Sequence, residues 1–162
     1  MRELLVVVDF QNSFADGKLG QNVQYLLEER ICRCIRKYVD NKNDIVFTLD
    51  NAGDDNAEKL FGRTGRYYGK AAAVFRKGTY GSLELGKWLE GKKYGKIEIC
   101  GLVTDMCVLA NAVIAQAACP DAEIVIDSNL TGTYNNELGI KALGVMQGLK
   151  MRVIQEDGKF AD

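Results

Sequence analysis

Short apolar runs alternate along this chain with stretches whose apolar residues recur every three or four positions, and that alternation restricts the architecture severely. Leu4-Leu5-Val6-Val7-Val8 is a continuous apolar run closed by Asp9, the mark of a strand buried on both faces. Val23, Leu26, Leu27, Ile31, Cys34, Ile35 and Tyr38 then recur at helical spacing. The exchange repeats, with strands expected over residues 44–49, 71–75, 97–100, 123–126 and 151–154. Helical patterns run through Leu83, Leu85, Trp88 and Leu89, through residues 108–118, and through Leu138, Ala142, Val145 and Leu149. Residues 51–69 are polar and glycine-rich, without a firm period. Strands alternating with helices imply right-handed crossovers and a parallel sheet covered on both faces. The expected fold is α/β: a three-layer α/β/α sandwich with a mainly parallel six-stranded sheet, as one domain over residues 1–162.

Charge and cysteine usage narrow the function class. A net charge of −1 argues against a nucleic-acid binder, which carries a basic excess. The apolar run over residues 4–8 is too short for a signal peptide or a membrane span, so a cytoplasmic protein without a membrane partner is expected. Five cysteines form no framework, and Cys32 and Cys34 point to different sides of a helix, which favours free thiols over disulfides or zinc. The stretch Gly62-Arg63-Thr64-Gly65-Arg66-Tyr67-Tyr68-Gly69-Lys70 fails the spacing of a phosphate loop and reads as a flexible loop.

In an open parallel sheet, ligands bind beyond the carboxyl ends of the strands. Three reactive groups stand at such ends: Asp9, Lys77 and Cys107. Cys107 falls in the expected first turn of the helix over 108–118, where unpaired N–H groups and the helix dipole make a thiol easier to ionise. The chain has no histidine, so other groups must move the proton. Asp9 can carry it, Lys77 can stabilise the thiolate, and N–H groups around Thr104 and Cys107 can bind an oxyanion. Each residue also has a plain alternative: core packing for the cysteine, a turn for the aspartate, a solvated surface position for the lysine.

Three segments in order carry a more specific signal: Asp9-Phe10-Gln11-Asn12-Ser13-Phe14, Lys77-Gly78-Thr79-Tyr80-Gly81-Ser82, and Gly101-Leu102-Val103-Thr104-Asp105-Met106-Cys107-Val108. Together they resemble the isochorismatase-like cysteine hydrolases, the superfamily of the nicotinamidases. The resemblance implies an Asp9–Lys77–Cys107 triad and a thioester intermediate formed as ammonia leaves. It also implies a cis peptide at Val103–Thr104 beside the oxyanion site, Phe14 near the substrate, and a homo-oligomer; Tyr80 is, apart from the resemblance, a candidate to line or lid the pocket.

The sequence departs from that pattern at the metal. The resemblance implies a site with an aspartate, a histidine two residues later and a further histidine; Asp50 matches the first, but Ala52 stands at the second. A lone carboxylate is no zinc site, so no metal and no other cofactor is expected. The 51–76 segment, with Gly53-Asp54-Asp55, is also short for the family, which points to a small amide other than nicotinamide. The expectation is a metal-independent hydrolase of a small carboxamide or related C–N bond; the alternative is a catalytically silent member that binds a small ligand or assembles. Isochorismate-type vinyl-ether chemistry is disfavoured by the retained Cys107, and dehalogenase-type phosphatase chemistry by Gln11, where a second aspartate is needed. Arg63 and Arg66 are candidates for an anionic substrate, and Tyr67 and Tyr68 for the pocket lining. Asp105 is expected to cap the Cys107 helix, and Asp127-Ser128-Asn129 to form a turn.

Overall fold

The computed structural model describes residues 1–15, 19–50 and 60–155; Ala52 and Gly53-Asp54-Asp55 lie outside them. The strands are β1 (Glu3–Val8), β2 (Asp44–Asp50), β3 (Ala73–Lys77), β4 (Lys96–Leu102), β5 (Glu123–Gly132) and β6 (Arg152–Ile154). The helices are α1 (Asn12–Ala15), α2 (Gln21–Asp40), α3 (Leu83–Leu89), α4 (Leu109–Ala118) and α5 (Asn136–Gly148). One six-stranded sheet has the order β3-β2-β1-β4-β5-β6, and every adjacent pair is parallel.

β1 lies at the centre, and its residues 4–8 are fully buried because both faces are covered. Alternation sends Leu4, Val6 and Val8 into a core shared with α3, α4 and α5, and Leu5 and Val7 into a second core with α2. Leu27, Ile31, Ile35 and Tyr38 form the buried stripe of α2, whereas Val23 and Leu26, expected on that stripe, face solvent. None of the described helices is long and apolar enough to cross a membrane.

Three segments differ from expectation. Residues 62–70 form a 3₁₀ segment, Gly62–Lys70, fastened to α2 where a flexible loop was expected. Glu28 Oε1 accepts from Arg63 N at 2.7 Å and Arg63 Nε at 2.9 Å, and a Cβ on Gly62 would sit 2.6 Å from that same oxygen. β5 continues through Asp127, Ser128 and Asn129, and the expected turn survives as an irregularity within the strand: Asn129 N donates to Asp127 Oδ1 at 2.8 Å, and the register with β4 shifts there. β3 starts at Ala73 and runs through Lys77, so Asp50 and Lys77 are register partners at the ends of β2 and β3.

Candidate active site

Strand order reverses direction at β1, whose successors leave on either side, and in open parallel sheets such a reversal is where a ligand crevice forms, beyond the carboxyl ends of the strands, here β1 and β4. Asp9 follows β1 and Cys107 follows β4, so the topology sets both beside that crevice. Asp9 turns the chain with a positive φ of 44°, a region aspartate tolerates better than most residues. Gly101, at φ 109°, lets β4 close onto β1: a Cβ there would lie 2.0 Å from Val8 O. Any side chain at 101 would therefore push the cysteine turn away from Asp9.

The structure brings the three expected residues together. Lys77 Nζ lies 2.5 Å from Asp9 Oδ2 and 3.4 Å from Cys107 Sγ, and donates to Thr79 O at 3.0 Å. An ammonium has three N–H donors, and these are three acceptors. Thr48 Oγ1 donates to Asp9 Oδ1 at 2.7 Å, while Asp9 N donates to Thr48 O at 3.1 Å. The side chains of Asp9 and Lys77 are each only 2% exposed, so each charge depends on the other.

Electrostatics correct one expectation. The Cys107 thiol is not made easier to ionise: burial, then the Asp9 charge, push it up to about 12, against the pull of Lys77. Burial alone would pull Lys77 down, but Asp9 and Cys107 beside it hold it above the usual lysine value. At rest the site therefore holds a carboxylate–ammonium pair next to a neutral thiol.

The turn that carries Cys107 is also wider than an α-turn. Val108 N donates to Val103 O at 3.1 Å, a five-residue span, and Met106 N donates to the same oxygen at 3.0 Å. Residues Thr104–Val108 form this turn, and α4 begins only at Leu109. The cis peptide joins Leu102 to Val103, one residue before the expected Val103–Thr104 bond. The chain already turns at Gly101, which leaves Val103 extended and its carbonyl facing the turn that follows. Thr104 Oγ1 donates to Gly132 O at 2.9 Å, tying the turn to β5. Asp105 does not cap the helix; its Oδ1 accepts from Thr133 Oγ1 at 2.6 Å.

The other residues singled out in the sequence scatter. Phe14 is half-buried against the α2-side core, and its carbonyl accepts from Tyr134 Oη at 2.7 Å. Tyr80 is 59% exposed. Arg63 is engaged by Glu28, Tyr67 is buried in the core, and Tyr68 stacks on Phe47. Sequence reasoning missed Thr48, Gln11 and Tyr134. The Gln11 amide pairs with the backbone of Asp50, accepting from its N at 2.8 Å and donating to its O at 3.4 Å. Tyr134 stands close enough to Cys107 to feel it: burial first, then that neighbour, push its phenol up to about 12.

Asp9, Asp50 and Cys107 each offer a ligand atom, all within 4.8 Å of one another. The Lys77 ammonium sits among them, 3.9 Å from Asp50 Oδ2 as well as close to the other two. Two carboxylates and a thiol gathered around an ammonium, with no imidazole among them, are a poor match to a zinc donor set, in which thiolates or imidazoles predominate.

A family profile described as "Isochorismatase domain" matches residues 3–156. The "uncharacterized isochorismatase family protein PncA" of Bacillus subtilis (strain 168) is 24% identical over 167 residues, covering 85% of this chain and 90% of that one. The crystal structure of nicotinamidase PncA from Bacillus subtilis superposes with a TM-score of 0.81 at 23% identity, covering 96% of this chain and 100% of that one. A pyrazinamidase of Pyrococcus horikoshii, solved in complex with zinc, superposes with a TM-score of 0.78 at 22% identity, covering 96% and 100%. At these identities the structural likeness is one of fold.

Proposed function

This chain belongs to the isochorismatase domain family of hydrolases, and we propose that it cleaves a small carboxamide or related C–N bond through a thioester on Cys107, without a metal. The observation that carries the proposal is the Lys77 ammonium, shared between Asp9 at 2.5 Å and Cys107 at 3.4 Å in a buried site.

The chemistry follows from the resting charges. When the substrate carbonyl reaches Sγ, Asp9 takes the thiol proton and sulfur forms a bond to the carbonyl carbon. Lys77 offsets the negative charge that moves from carboxylate to sulfur, which keeps the transfer within one ion-paired cluster. Backbone N–H groups at Thr104 and Cys107, on the turn entered from Val103, bind the oxyanion. Asp9 then protonates the leaving nitrogen, the C–N bond breaks, and a thioester remains. Water attacks the thioester, its proton goes to Asp9, and Asp9 returns a proton to sulfur as the acid departs.

No step is assigned to a metal, because the ammonium already provides the positive charge among Asp9, Asp50 and Cys107. The Pyrococcus horikoshii pyrazinamidase was solved with zinc; the absence of any histidine here removes the usual nitrogen ligands. A homo-oligomer is part of the proposal, supported by Leu138 and Val145 on one face of α5 and Leu149 just after it, which stay 45%, 51% and 41% exposed. Sedimentation would test the assembly.

Ammonia release from a panel of small amides, with Cys107→Ala as control and a chelator-treated sample alongside, tests the activity. Cysteine-dependent release that survives the chelator is expected. Complete loss with the chelator would overturn the metal-free step; no release from any amide would favour a silent, ligand-binding member.

A further inference from the structure

Asn111 lies on α4, one turn beyond Cys107, and is fully buried. Its side chain makes three hydrogen bonds, one to the cysteine turn that leads into α4 and two to the loop after Lys77. Nδ2 donates to Cys107 O at 2.8 Å and to Tyr80 O at 3.1 Å, and Oδ1 accepts from Ser82 N at 3.0 Å. Residues 78–82 are the loop that follows Lys77 and supplies the Thr79 carbonyl on which the ammonium rests. That loop is pressed against α4: a Cβ on Gly81 would meet Ile114 Cδ1 at 2.7 Å and Ala110 Cβ at 3.6 Å. Ser82 then caps α3, its Oγ accepting from Leu85 N at 3.1 Å, so the loop is bounded on the far side as well.

We propose that Asn111 is a positioning residue, which fixes the Thr79 carbonyl, and through it the Lys77 ammonium, relative to the sulfur of Cys107. Of the three acceptors around Nζ, Asp9 is set by β1 and Thr48, and Cys107 by its wide turn. Thr79 O belongs to a loop, and a loop carbonyl holds its place only as well as the loop is held. Asn111 joins that loop to the cysteine turn through one rigid amide group. Amide donors and acceptor are all used in the bridge, so a smaller hydroxyl cannot replace it. A serine at 111 can still back-bond to the carbonyl four residues earlier, Cys107 O, but loses both loop contacts.

This role rests on the hydrolase proposal only for its purpose; its test is read on the thiol without any substrate. Cys107 alkylation by iodoacetamide is followed at pH 9 by mass spectrometry of the Cys107 peptide, in the full chain, with thermal melting as a check on folding. Asn111→Ser is compared in two backgrounds: the parent, and Asp9→Asn/Lys77→Met, which removes both charges together. With the ammonium displaced, the thiolate loses its stabilising neighbour, and Asn111→Ser should slow alkylation about fivefold in the parent, the size expected for coupled residues in one network. In the background without the Asp9–Lys77 pair it should change nothing. An unchanged or faster reaction in the parent overturns the proposal, as does an equal slowing in both backgrounds. If Asn111→Ser does not fold, Gly81→Ala, whose added methyl pushes the same loop away from α4, takes its place with the same outcomes. Should the alkylation pattern hold while no amide is hydrolysed, the hydrolase proposal fails and the positioning role stands.

Discussion

Thr48 Oγ1 holds Asp9 Oδ1 at 2.7 Å, which leaves Oδ2 as the oxygen that faces Lys77. A carboxylate with one oxygen tied down cannot rotate away from the ammonium or the thiol. Replacing Thr48 with valine keeps the shape and removes the hydroxyl, leaving a buried acceptor unpaired. Stability should fall by about 1–3 kcal/mol, measured by denaturant unfolding, and kcat should fall more than KM changes, because the lost contact orients a catalytic group.

Cys107→Ala and Cys107→Ser should both fold, since the side chain is small and packed at the edge of the α4-side core. Turnover should drop by about a thousandfold or more, as when a nucleophile is removed from a unit that acts together. Residual cysteine-independent release near the parent rate would place the chemistry elsewhere.

Asp9→Asn leaves the buried Lys77 charge with only Asp50 Oδ2, 3.9 Å away, as a counter-ion, and Lys77→Met leaves Asp9 without its cation. Each single change should cost about 3–5 kcal/mol. The double variant Asp9→Asn/Lys77→Met should recover most of that stability and none of the activity. A double-mutant cycle of unfolding free energies checks the first statement, and ammonia release the second.

The resting thiol is neutral, pushed up to about 12 by burial and Asp9. Iodoacetamide should therefore modify Cys107 at pH 7.5 about a hundredfold or more slowly than a small free thiol, which is partly thiolate there. Faster modification than a free thiol would mean that the sulfur is already ionised before substrate arrives.

Alkaline stability follows with a definite sign. Cys32, Cys34, Cys100, Cys107 and Cys119 all lie above their ordinary value in the fold, with burial the leading cause each time. A group whose pKa is higher when folded contributes stability that is fully present below its unfolded value and lost as pH rises beyond it. Unfolding midpoints should hold up to about pH 9, the ordinary thiol range, and then decline. For Cys107 the contribution disappears between 9.0 and about 12, so Cys107→Ala should make the decline shallower.

The fold was legible because β1, β4 and the stripe of α2 are decided by period alone, and burial confirmed those periods. The meeting of Asp9, Lys77 and Cys107 was legible because their segments occur in order with a specific Gly-x-x-Thr-Asp-x-Cys-Val element. Thr48 and Gln11 were not, since their partners are set by strand register and by the path of the chain after Asp9, which no local pattern encodes. Asn111 carries no signal in the sequence; only the approach of the 78–82 loop gives it a purpose. The ionisation of Cys107 was misjudged because helix-end electrostatics compete with burial and a neighbouring carboxylate, and those depend on the folded packing. Val23 and Leu26 are apolar but sit off the buried face of α2, which at that level runs through Gln24, Leu27 and Glu28.

Among the described residues β3 lies at the edge of the sheet, paired only with β2. Side chains along it alternate, with Phe75 packed against one core and Val74 against the other, and Lys77 pointing inward where Arg76 points out. The identity of the buried cation is thus a matter of parity. A slip of β3 by a single residue against β2 would turn Lys77 to solvent and offer the bulkier Arg76 in its place. Lys77 can therefore serve Asp9 and Cys107 only while Asp50 remains its register partner.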